Sequence, residues 1–221
     1  MKRIVNFCGF AVLILMLSLC LYSTTETQPQ VPKAQLPLLT TSAGQSPDVT
    51  TLNIVLEEAG IPYDYCDAPS AELIAAGVGL AGKESSEGFH VEIHTDLSQF
   101  PKGTPYKTAI FAIGASLKGM GASGLTVDTE EARLKKIIDS LKKKKVFIIA
   151  VHVGGESKRG APGSDNEKMI DAVAPFADYI MVTKDSNKDE RFTKIAEKNK
   201  IPLSQIEYAL GLVDLMKQVF Q

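Results

Sequence analysis

Residues 145–160 read KVFIIAVHVGGESKRG. The first half is a continuous, β-branched-rich apolar run, of the kind buried on both faces of a parallel sheet. The second half turns abruptly to glycine, acid and base, as a turn beyond a strand's carboxyl end would. KTAIFAIG (107–114) is a second such run, and GASLKGMGASG (114–124) continues from its last glycine. Between the two strands, DTEEARLKKIIDSLKKKK (128–145) places acidic residues first and lysines last. That order suits a helix dipole, so the lysine run reads as a solvated helix end rather than a nucleic-acid patch.

The same alternation extends in both directions. LPLLTT (36–41) is a strand that ends in SAGQS (42–46). Ser46 then caps a helix with Pro47 at its first position, and Gly60 stops it. IPYDYC (61–66) is a plausible second strand. DNEKMIDAVAPFA (165–177) is a helix, ADYIMVTK (177–184) a strand and KDERFTKIAEKN (188–199) a helix. QIEYALGLVDLMKQVF (205–220) reads as a closing helix. This pattern predicts an α/β fold: a doubly wound, mostly parallel sheet of five or six strands, with helices on both faces, Rossmann-like or flavodoxin-like. Residues 67–105 exceed what one crossover needs and read as an insertion, with a helix near SAELIAA and a possible extra strand, FHVEIHT.

Residues 1–23 do not belong to that domain. MKR followed by the apolar FCGFAVLILMLSLCLY is the pattern of an export signal. The segment is cleaved, retained as a membrane anchor or lipidated at Cys20, where LSLC resembles a lipobox with Leu19 in place of a small residue. Each fate puts the domain outside the cytoplasmic membrane, either secreted or tethered. STTETQPQVPKAQ (23–35) is polar, contains proline and reads as a flexible tether to a single domain at 36–221. That domain keeps only Cys66, so an internal disulfide and a CxxC-type zinc site are excluded. A net charge of −2 and the absence of Trp argue against a nucleic-acid partner.

Four turns follow strands: 42–46, 114–124, 152–160 and 183–189. They are richer in Gly, Ser and cations than the turns at the opposite end, and ligands of a doubly wound sheet bind beyond the carboxyl ends of its strands. Ser46, Ser116, Lys118, Gly155, Arg159 and Lys184 are the expected contacts for a small anionic ligand, a carboxylate or phosphate. In this reading Arg159 awaits a ligand and contributes little to stability. His152 and Glu156 shape the pocket. In an enzyme reading, perhaps a hydrolase, His152 is the acid–base and Glu156 orients it or takes a proton. A third reading is a surface domain that meets another protein. GMGASG (119–124) fits G-x-G-x-x-G but is separated from its strand, so no nucleotide cofactor is expected. His90, Glu92 and His94 share one strand face, which reads as a wet surface rather than a metal site.

LLTTSAGQSPD, IGASLKGMGASG, IIAVHVGGESKRG and DYIMVTKDSNKD with FTKIAEKNKIPL resemble the bacterial domain-of-unknown-function family 6305. The resemblance covers most of Leu36 to Leu203. It implies an exported α/β domain and assigns no activity.

Overall fold

The computed structural model describes residues 31–82, 93–95 and 97–221. The export segment, most of the tether, His90 and Glu92 lie outside the described residues. Seven strands form one sheet in the order β3-β2-β1-β4-β5-β6-β7. They are β1 (Leu38–Ala43), β2 (Asp64–Cys66), β3 (Ile93–Thr95), β4 (Thr108–Ile113), β5 (Phe147–His152), β6 (Tyr179–Thr183) and β7 (Leu203–Ile206). Every pairing is parallel except β2 with β3. The fold is therefore the expected doubly wound α/β sheet, with seven strands rather than five or six because Leu203–Ile206 adds an edge strand, and strand order reverses between β1 and β4.

The helices are α1 (Asp48–Ala59), α2 (Ala71–Ala75), α3 (Leu117–Ala122), α4 (Val127–Lys143), α5 (Asp165–Val173), α6 (Arg191–Asn199) and α7 (Leu212–Val219). Alternate residues of each central strand face opposite layers. Ile110, Ile149 and Met181 pack with Leu52 and Leu56 of α1 and Leu212 and Met216 of α7. Phe111, Ile148 and Ile180 pack with Leu134 and Ile137 of α4, Ile170 of α5 and Phe192 of α6. Cys66 is buried in the second of these layers, and burial pushes its thiol up to about 12.

Three elements differ from the sequence reading. Residues 205 and 206, expected to be helical, pair with β6 as part of β7, and the last helix begins only at Leu212. Residues 117–122, read as loop, form α3, with the Ser116 hydroxyl accepting from the Gly119 N–H at 3.1 Å. Residues 31–35, assigned to the tether, are packed: the Ala34 N–H donates to the Val219 carbonyl at 2.8 Å. The β3 strand is the tail of FHVEIHT in the insertion and supplies the antiparallel edge.

One buried ion pair fixes the turn after β1. Glu130 of α4 is fully buried and accepts from Arg133 Nε and Nη2, both at 2.7 Å. It also accepts from the Gly44 N–H at 2.8 Å. Arg133 in turn donates to the carbonyls of Ser42 and Pro69, at 3.1 and 3.0 Å. Gly44 has φ +82, and a side chain there would meet the Gly114 carbonyl at 2.6 Å, so only glycine fits. Removing one partner of such a pair leaves the other buried and uncompensated. Glu130→Ala is expected to cost about 3–5 kcal/mol in denaturant unfolding. A loss below about 1 kcal/mol would mean that the pair behaves as a surface one.

Candidate functional site

The turns after strands share the carboxyl edge of the sheet but separate into two groups. At β1 and β4 the backbones lock together: the Gly114 N–H donates to Ala43 O at 3.0 Å and the Ser116 N–H to Gly44 O at 2.8 Å. Ser46 is buried here, and its Oγ accepts from the Asp48 N–H at 3.3 Å, as a helix-start residue does. Ser116 caps α3, and Lys118 is exposed on that helix. Gly119 and Gly121 sit inside the same helix, not in a phosphate loop.

The second group surrounds a cleft of about 350 Å³ between the turns after β5 and β6, lined by Glu156, Arg159, Gly160, Asp185, Lys188 and Asp189. Gly155 has φ +67, and a side chain there would meet Asp185 Oδ2 at 2.4 Å. That close approach brings Asp185 Oδ2 to the Glu156 N–H at 2.9 Å. Lys188 lies 2.8 Å from Glu156 and 2.7 Å from Asp185. All three are at least half exposed, so these pairs stabilise little.

Arg159 is not the unpartnered loop cation expected from sequence. Its side chain is only 8% exposed and meets Glu167, at 1%, with Nε 2.7 Å from Oε1. Glu167 also accepts from the Gly160 N–H at 3.2 Å and lies 2.7 Å from Arg191 Nε. The outer edge of the guanidinium grips Asp189 with two prongs, Nη1 to Oδ1 at 3.0 Å and Nη2 to Oδ2 at 2.9 Å. The guanidinium holds the Asp189 carboxyl below its ordinary range. Nη1 also donates to the Ser186 carbonyl. Arg159 is thus a structural tie between the two turns, which corrects the expectation that it adds little stability.

His152 is fully buried, with both ring nitrogens engaged. Nδ1 lies 2.8 Å from Ser186 Oγ and Nε2 3.2 Å from the Lys158 carbonyl. The carbonyl can only accept, so Nε2 carries the proton and Nδ1 accepts from the serine. Ser186 Oγ also accepts from the Gly155 N–H at 3.1 Å and lies 2.8 Å from Thr183 Oγ1. Glu156 points to Lys188, not to His152, so the two do not form the acid–base pair of the enzyme reading. Lys184 pairs with Glu207 at 2.6 Å and is not among the residues lining the cleft.

Asp48 links the two groups. Its carboxyl is pushed up by burial, against the charge of Lys158 and the backbone N–H groups of Gly154 and Val153. Sequence reasoning missed Asp48, Glu167, Asp185, Ser186, Lys188 and Asp189. In the stretch 183–189 the acids and the serine, rather than the cations, make most of the contacts. Among the described residues no cluster of His, Cys, Asp and Glu is arranged to hold a metal ion.

The chain is a member of the family described as "Domain of unknown function (DUF6305)", which matches residues 35–220. Curated proteins give no match. A solved structure of a mutant of the esterase AlinE4 is 15% identical, with 86% of this chain and 83% of that one covered at a TM-score of 0.30. So distant a likeness carries no argument about activity.

Burial pushes the His152 imidazole down to about 4 from the ordinary 6.5, and the bond to the Lys158 carbonyl only partly opposes this. The unfolded chain takes up a proton below about pH 6.5 that the folded chain refuses until about pH 4. Stability owed to neutral His152 is therefore full above that window and is lost as pH falls through it. The raised Asp48 carboxyl acts in the opposite sense and is common to both proteins compared. Denaturant unfolding at about pH 7 and about pH 5 should show a smaller loss on acidification in His152→Gln than in the parent. Equal losses would contradict the assignment.

Proposed function

We propose that the chain is an extracytoplasmic binding domain that holds a small ligand by a carboxylate or phosphate group in the cleft between the turns after β5 and β6. The observation that carries this reading is the two-sided engagement of Arg159. Its inner side is bonded to buried Glu167, while its outer edge is gripped by Asp189, whose side chain is 57% exposed. A ligand carboxylate of the same planar shape exchanges with Asp189 and leaves no buried charge unpaired, because Glu167 stays in place. Exposed ion pairs contribute about 0–1 kcal/mol each, so releasing Lys188 from Glu156 and Asp185 costs little. Lys188 then supplies the second positive charge, the role that sequence reasoning gave to Lys118 and Lys184.

Native mass spectrometry of the full chain from its own cells tests whether a small molecule travels with it. Acetate and inorganic phosphate serve as probes in a nuclear magnetic resonance titration. Saturable shifts are expected at the Gly160 and Glu156 amides, with binding tighter in Asp189→Asn and weaker in Lys188→Ala. Weaker binding in Asp189→Asn, or no saturable shift at the cleft, would overturn the reading.

The extracytoplasmic part rests on the basic-then-apolar start and the polar tether. Protease added to intact cells, or to spheroplasts where an outer membrane is present, should digest the domain. Full protection would contradict export.

A further inference from the structure

A second cleft, of about 320 Å³, opens between the turn after β2 and the first turns of α4. Its volume is at the small end of the range for small-molecule sites, about 300–1,000 Å³. Ala68 and Ala71 on one side, with Leu125 and Ala132 on the other, give it walls largely of methyl groups. The frame is rigid. Arg133 is fixed by Glu130 and by the Ser42 and Pro69 carbonyls. Ser70 caps α2, accepting from the Leu73 N–H at 3.1 Å. Thr126 and Thr129 cap α4 reciprocally, at 2.8 and 3.2 Å.

The two rim charges are the feature that separates this cleft from the first. Glu72 on α2 and Lys136 on α4 both line it. Among the described residues neither has an opposite charge within 4.0 Å. The Glu72 carboxylate is held below its ordinary range chiefly by its own backbone N–H and the Ser70 hydroxyl, and more weakly by the charge of Lys136. A lone anion entering the cleft is attracted by Lys136 but repelled by Glu72, and a lone cation meets the reverse. A molecule that carries both charges close together satisfies both walls, and its apolar remainder lies against the alanines and Leu125.

We propose that this cleft binds a small zwitterion with an apolar body, of the α-amino-acid class, with its ammonium toward Glu72 and its carboxylate toward Lys136. The site is separate from the one proposed between β5 and β6 and does not depend on it. Calorimetric titration of the full chain with L-leucine tests it, alongside 4-methylpentanoate, which lacks the amine, and 3-methylbutylamine, which lacks the carboxylate. Leucine should bind, and each analogue should bind at least about ten-fold more weakly. Glu72→Gln and Lys136→Met should each weaken leucine by a similar factor, with unchanged unfolding midpoints, since both residues are exposed on their helices. Ala132→Trp, at an exposed helix position, should fill the cleft and abolish binding. Lys188→Ala should leave leucine binding intact, which separates this site from the other cleft. No binding of leucine up to about 10 mM, equal binding of either analogue, or indifference to the rim variants would overturn the proposal.

Discussion

The carboxyl edge depends on the buried ion pair between Arg159 and Glu167. Glu167 is almost wholly out of water, and its carboxylate gathers Arg159, Arg191 and the Gly160 N–H. Charges at such a site are costly unless paired and hydrogen-bonded, so Arg159 is not free to leave. The pair joins the turn after β5 to α5, and Nη1 carries the link on to the Ser186 carbonyl in the turn after β6. Ser186 then closes the arrangement through His152, Gly155 and Thr183. The turns are glycine-rich, yet their polar groups are largely spent on one another.

The same device recurs across the sheet. Glu130 and Arg133 of α4 hold the turn after β1 through Gly44 and Ser42, and the turn after β2 through Pro69. Each cleft has one of these arginines in its wall. Where strand order reverses, the two turns bond directly through backbone groups. The clefts therefore flank the reversal point rather than occupy it. On the proposed readings, arginine walls beside exposed, replaceable charges favour binding without a large rearrangement.

How much was legible in the sequence depended on whether burial alone decided the structure. β4 and β5 were readable because continuous apolar runs of that length belong in the middle of a parallel sheet. LSQI was not readable, since β7 is an edge strand that buries little and carries Ser and Gln. α3 was hidden by Gly119 and Gly121, which weaken helix propensity; Ser116 capping and burial of Met120 override them. The turns after strands were correctly located as the polar edge, because the opposite turns carry only charge. Their internal pairing was not legible. Nothing in the local pattern joins Arg159 to Glu167 or Asp189, so a cation already committed to chain carboxylates read as one awaiting a ligand.

Double-mutant cycles measure the two halves of the Arg159 assignment separately. Unfolding free energies of Arg159→Ala, Glu167→Ala and Asp189→Ala, and of the two double variants, give the coupling of Arg159 to each acid. The account predicts about 2 kcal/mol or more for Arg159 with Glu167, and below about 1 kcal/mol for Arg159 with the exposed Asp189. Equal couplings, or a stronger one to Asp189, would contradict it.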